Sequence, residues 1–196
     1  VKRRECLEWL ATFVPEDTVV AASLSSNSSM WSSLRPQGAN FFGLNLGLSV
    51  PFAVGLTLAF PKTKVLCLES DGSLMNDSSS LITLADVNPS NLVVLVFDNA
   101  SYARMGPTFT ARAADLEKIA QGAGVRNTAT VKSQEEFALG VKRAFESEGL
   151  AFIVVKVEPD TERTVGNPRF YGRPMRERFV DTILKRPDYW GKRGAK

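Results

Sequence analysis

The sequence predicts an α/β fold: a three-layer, doubly wound, mostly parallel six-stranded sheet with helices on both faces. Three observations predict it. Val65–Leu68, Leu92–Phe97 and Ala151–Val157 are apolar rather than alternating, broken only by Lys156 near the end of the last, as expected of strands covered on both faces. Segments of helical apolar spacing separate the runs, and a βαβα alternation builds a parallel sheet. Finally, residues 64–102 read as one strand–helix–strand unit, whose crossover is right-handed.

The elements follow in order. Arg4–Phe13 carries Cys6, Leu7, Leu10 and Ala11 at helical spacing. Thr18–Leu24 reads as the first strand, and the serines from Ser25 to Ser29 as a loop at its carboxyl end. Asn40–Leu44 is a short strand. The small-residue stretch NLGLSVPFAVGLTLAF then predicts a helix with Pro51 near its start and Pro61 just beyond its end. After the strand at 65–68, a helix is expected from Asn76 to Asp86, with Leu81, Leu84 and Ala85 on one face. ARMGPTFTARA is a Gly/Pro loop. Asp115–Ala123 reads as a capped helix and Val125–Thr130 as a strand. Ser133 and Glu136 form a capping-box pattern before Phe137, Val141, Ala144 and Phe145. Arg173–Leu184 is an amphipathic helix with Met175, Phe179 and Ile183 on its apolar face.

Two units are expected: residues 1–158 as the sheet domain, and 159–196 as a basic extension whose helix packs on that domain or on a partner. Residues 161–196 hold ten Lys/Arg against four Asp/Glu, or +6; the whole chain is +3, so the rest carries −3. Such a tail suits subunit contacts or solubility rather than nucleic acid. No apolar run spans a bilayer and no stretch resembles a signal peptide. Cys6 and Cys67 form no metal pattern, which fits core thiols in a cytoplasmic protein. The chain has no histidine, so the commonest general base is missing. Chemistry must come from carboxylates, backbone groups or a cofactor with its own reactive atoms. Neither a Walker motif nor GxGxxG is present, which argues against a generic nucleotide-binding domain.

The candidate site lies where two strands end. Ser70-Asp71-Gly72-Ser73 follows one and Asp98-Asn99-Ala100-Ser101-Tyr102 follows the other. Neighbouring strands lie roughly 4.8 Å apart, and ligands of open α/β sheets bind at their carboxyl ends. A carboxylate and an amide oxygen at that separation suit a hard, octahedral cation such as Mg²⁺, completed by water and phosphate oxygens.

Asp71-Gly72-Ser73, with Asn99 twenty-eight residues after Asp71, resembles the GDG…NN motif of thiamine diphosphate-dependent enzymes. The resemblance implies that Asp71, the Asn99 side chain and the Ser101 carbonyl hold Mg²⁺. It implies that the amides of Gly72 and Ser73 approach the diphosphate, with Tyr102 alongside. Two positions depart from the pattern: Ser70 stands for the first Gly and Asp98 for the first Asn. NLGLSVPFAVG is similar to the family's GTMGxGLPAAIGA segment, so Leu46, before Gly47, takes the place of the residue that props the cofactor into its bent form. By the same resemblance Ser25 and Ser26 are phosphate donors. Arg104 and Arg112, in the loop beside the proposed site, are candidates to meet an anionic substrate, though loop arginines are usually solvated.

LADVNPSNLVVLVFDNASY and TARAADLEKIAQGAGV resemble the small β-type subunits of sulfopyruvate and phosphonopyruvate decarboxylases. The resemblance implies the diphosphate-binding chain of a 2-oxoacid decarboxylase. A separate pyrimidine-domain subunit would contribute the Glu that activates the cofactor, in a hetero-oligomer inactive without it. Arg104-Met105-Gly106 replaces a longer Gly-Gly-Gln stretch of those relatives, so a non-catalytic or regulatory thiamine diphosphate-binding homologue is the alternative.

Overall fold

The computed structural model describes residues 1–24, 26–102, 105–160 and 172–187. Six strands form one sheet: β1 (Val19–Ser23), β2 (Asn40–Leu44), β3 (Val65–Ser70), β4 (Leu92–Asp98), β5 (Thr128–Val131) and β6 (Ala151–Lys156). Their order is β2-β1-β3-β4-β6-β5, and every pairing is parallel. The helices are α1 (Arg3–Phe13), α2 (Ser26–Leu34), α3 (Ser49–Ala59), α4 (Asp71–Asn76), α5 (Ser80–Val87), α6 (Leu116–Gly122), α7 (Gln134–Glu146) and α8 (Gly172–Lys185).

The apolar runs are explained by two cores. Side chains alternate across a strand, so β3 sends Leu66 and Leu68 to one face and Val65 and Cys67 to the other. The first core takes Leu7 and Leu10 of α1, Trp31 of α2 and Phe137 and Val141 of α7. The second takes Val50 and Val54 of α3, Leu81 and Leu84 of α5 and Leu116 and Ala120 of α6. Three layers result. Crossovers that step one way along the sheet use the second face; those stepping back, through α2 and α7, use the first. The chain leaves β1 and β3 in opposite directions, and this switch opens a crevice at their carboxyl ends.

Three expectations change. The serine stretch is no loop beyond residue 25: α2 begins at Ser26 and buries Ser28, Ser29 and Ser32. Ser28 Oγ lies 2.6 Å from Ser23 O and accepts from Gly43 N–H at 2.7 Å, tying α2 to two strand ends. Ser32 and Ser33 Oγ donate to Ser29 O within the helix, so these hydroxyls are satisfied without leaving it. The helix expected over 76–86 is two helices, α4 and α5. Asp77 breaks them with φ −145° and ψ 67°, and Ser80 Oγ donates to its carbonyl at 2.6 Å. The strand expected at 125–130 is β5, displaced toward Val131.

Caps behave as expected. Asp115 accepts from Lys118 N–H at 3.1 Å, and Ser133 from Glu136 N–H at 3.1 Å. Glu136 reaches back to Lys132 N–H, one residue before the usual capping-box partner. In α8, Met175 and Phe179 are buried. The Phe179 ring stands edge-on to Phe41 of β2, with centroids 5.2 Å apart. Arg186 donates to Asp17 O and Thr63 Oγ1. The helix therefore covers the β2 edge of the sheet, with Met175 joining the first core and Phe179 the second.

Candidate functional site

β3 and β4 run in register from Val65↔Leu92 to Ser70↔Phe97. Asp71 and Asn99 are thus the first residues beyond two neighbouring strand ends, with Asp98 directly across from Asp71 in the continued register. Asp71 opens α4 and is 1 % exposed. Its Oδ2 accepts from Thr108 Oγ1 at 2.7 Å, with Thr110 Oγ1 at 3.4 Å. Burial pushes its carboxyl above the usual range, and the nearby Asp98 carboxylate adds to the rise; Thr108, the Gly72 N–H and Arg3 oppose it.

After β4 the chain turns sharply. Ala100 has φ +56°, a left-handed conformation that costs a non-Gly residue about 1–2 kcal/mol. Side chains hold the turn: Asp98 Oδ1 accepts from Ala100 N–H and Asn99 Oδ1 from Ser101 N–H, both at 3.0 Å. The segment then folds back as a hairpin, with Ser101 bridged to Pro107, Tyr102 N–H to Gly106 O at 2.8 Å and Thr108 N–H to Ala100 O at 3.0 Å. Asp98 also takes the Lys156 ammonium and the Thr110 hydroxyl.

The β2–α3 loop closes the other side. Gly47 N–H donates to Ser73 Oγ at 3.2 Å. Gly47 has φ +81°, and a Cβ there would meet Asp77 Cβ at 2.7 Å, so both conformation and space favour glycine. Leu46 beside it is 45 % exposed and belongs to neither core. Gly72 has no special φ; its reason is proximity, because an added Cβ would fall 2.4 Å from Tyr102 Cε1.

Leu46, Gly47, Gly72, Ser73 and Tyr102 are therefore linked through two contacts around the start of α4. Ser26 lies at the end of β1 as the first residue of α2. Its neighbour Asn27 donates to Glu69 O at 2.9 Å and to Ser23 Oγ at 3.1 Å, joining α2 to the end of β3. Ser25 and Arg104 lie outside the described residues, and Arg112 is exposed after the 3-10 turn Phe109–Ala111.

Sequence reasoning missed the groups behind this front. Glu69 is wholly buried, and burial pushes its carboxyl up to about 7 against the pull of Ser73, the Ser70 N–H, Ser49 and Ser23. Arg3 is buried too: its Nη1 donates to Asn27 Oδ1 at 2.6 Å and its Nε to Asp160 at 3.1 Å. Thr108, Thr110 and Lys156 carry no periodicity or motif that would mark them.

The residues present fit a hard cation and a diphosphate. The donors are oxygens, and the buried Asp71 carboxylate lies near that of Asp98, whose charge is met by the Lys156 ammonium, so a cation relieves the cost that raises the Asp71 carboxyl. Among the described residues no group of three or more His, Cys, Asp or Glu forms a metal cluster. A cation here thus depends on amide, carbonyl and phosphate oxygens beside Asp71.

The model of the thiamine pyrophosphate enzymes' C-terminal TPP binding domain matches residues 25–155. Sulfopyruvate decarboxylase subunit beta of Methanocaldococcus jannaschii is 30 % identical over 94 % of this chain and 98 % of its own length. Phosphonopyruvate decarboxylase of Streptomyces viridochromogenes is 25 % identical over 94 % of this chain and 47 % of its own length. The crystal structure of benzoylformate decarboxylase from Polynucleobacter necessarius shares the fold, with a TM-score of 0.72 at 18 % identity, over 83 % of this chain. This chain spans 34 % of that structure.

Proposed function

Because the chain belongs to the thiamine pyrophosphate enzymes, through their C-terminal TPP binding domain, we propose that it is the diphosphate-binding subunit of a thiamine diphosphate- and Mg²⁺-dependent 2-oxoacid decarboxylase. The reaction is of the sulfopyruvate or phosphonopyruvate type, and a separate pyrimidine-domain subunit completes the enzyme. The observation that carries the reading is that Asp71 and Asn99 are each the first residue beyond one of two neighbouring parallel strands, β3 and β4. The subunit assignment is supported by the match over 98 % of a relative named as a beta subunit.

Thiamine diphosphate supplies the carbon nucleophile and the electron sink for loss of CO₂. The chain's own groups bind and orient. Asp71, the Asn99 amide oxygen and the Ser101 carbonyl hold Mg²⁺. The N–H groups of Gly72 and Ser73, in the first turn of α4, face the diphosphate. The exposed Leu46 side chain, on a loop tied to Ser73, supports the bent form. Ser26 stands at the neighbouring β1 end as a further phosphate donor. By the family resemblance, the activating carboxylate would come from the pyrimidine-domain partner. Cys6 and Cys67 are buried and unbridged, which suits the cytoplasm. No helix among the described residues is long and apolar enough to cross a membrane.

The test is titration of thiamine diphosphate, with and without Mg²⁺, into the chain alone and with a pyrimidine-domain subunit, followed by assay of sulfopyruvate and phosphonopyruvate. Decarboxylation is expected only in the assembly. Turnover by the homogeneous chain alone overturns the two-subunit reading. An assembly that binds the cofactor without turnover marks the chain as a non-catalytic homologue. Absence of Mg²⁺-dependent binding in the assembly removes the site.

A further inference from the structure

We propose that Thr108 and Thr110 are positioning residues: their hydroxyls tie the hairpin after Asn99 to Asp71 and Asp98, and so fix the Asp71 carboxylate for the cation. The inference rests on the reading that Asp71 holds Mg²⁺. Thr108 Oγ1 donates to Asp71 Oδ2 at 2.7 Å across thirty-seven residues of chain, and the hydroxyl is buried. Thr110 Oγ1 lies 2.8 Å from Thr108 Oγ1 and donates to Asp98 Oδ1 at 2.7 Å. Two hydroxyl protons thus serve three short oxygen contacts, and the proton of Thr110 is shared between Asp98 and Thr108. Lys156 anchors the far end on Asp98.

The hairpin does not need these hydroxyls to close. Its backbone is already pinned by the Ser101–Pro107 bridge, by Tyr102 N–H to Gly106 O and by Thr108 N–H to Ala100 O. What the hydroxyls add is a tie from the segment after β4 to the carboxylate at the end of β3. A carboxylate oxygen has more than one lone-pair site, so Asp71 keeps acceptor capacity for a cation while Thr108 fixes its rotamer. The left-handed Ala100 between Asn99 and Ser101 is the local conformation that such a clamp stabilises. Partners of this kind orient metal ligands, and their loss costs about 10–100-fold in metal affinity.

The test uses the full chain with its partner subunit. Mg²⁺ is titrated calorimetrically at saturating thiamine diphosphate for wild type, Thr108→Val, Thr108→Ser and Thr110→Val. Thr108→Val is expected to weaken Mg²⁺ binding about tenfold or more and Thr108→Ser by less than about threefold, with the metal-free melting temperature of Thr108→Ser unchanged. Thr110→Val is expected to weaken binding by about threefold, and it decides the matter if Thr108→Val does not fold. Wild-type affinity in Thr108→Val and Thr110→Val overturns the inference while leaving Asp71 as a ligand. Equal losses in Thr108→Val and Thr108→Ser, together with a fall in the metal-free melting temperature, overturn it in favour of a structural role. If wild type binds no Mg²⁺, the site reading and this inference fall together.

Discussion

Gly72 lies directly against the Tyr102 ring: a Cβ built on it would stand 2.4 Å from Cε1 and 2.7 Å from Cδ1. One residue is the second of α4, just after β3, and the other follows the left-handed turn after β4. The contact therefore packs the segment after β4 against the first turn of α4. Gly72→Ala forces the ring aside, and overpacking of this kind costs about 1–3 kcal/mol. Urea unfolding should show that loss, and a smaller one when the substitution is made in a Tyr102→Ala background. Equal losses in both backgrounds would mean that the two side chains do not couple.

Asp71→Ala is expected to abolish the Mg²⁺ dependence of thiamine diphosphate binding in the assembled protein. The variant removes the one buried carboxylate at the start of α4, and with it the only charge in the expected donor set. Calorimetry with and without Mg²⁺ reads the effect directly. A cofactor affinity that still responds to Mg²⁺ as in wild type would discard Asp71 as a ligand.

Leu46→Ala is expected to lower turnover per bound cofactor about tenfold while changing cofactor affinity by less than about threefold, because interactions needed only for the reactive geometry enter kcat rather than binding. The half-exposed side chain on a loop tied to Ser73 is placed for such a role. Collapse of affinity with normal turnover of the bound fraction would assign Leu46 to binding instead.

Phe179→Ala should destabilise the chain by about 3 kcal/mol, the scale of truncating a buried phenylalanine. Phe179 is buried against the paired rings of Phe41 and Phe52, with centroids 5.2 and 6.3 Å away. Denaturant titration of the chain alone is the measurement. A loss that appears only with the partner present would place the face of α8 at a subunit contact.

The sequence by itself determined the layered α/β architecture and the strand ends that carry Asp71 and Asn99. Both are local or periodic properties. Strands buried on two faces must be apolar throughout, and a chain leaving such a strand must turn through small polar residues. Periodicity also marked Met175, Phe179 and Ile183 as one helix face. It did not mark α2, because Ser26–Leu34 has no apolar stripe; its serines are buried by bonds to Ser23, Gly43 and each other's carbonyls. Only the tertiary structure decided that Thr108 and Thr110 reach Asp71 and Asp98, that Arg3 stands behind Asn27, and that Glu69 is enclosed among Ser23, Ser49 and Ser73. These partners are brought together by strand order and crossover handedness. A hydroxyl aimed at a distant carboxylate leaves no period in the chain.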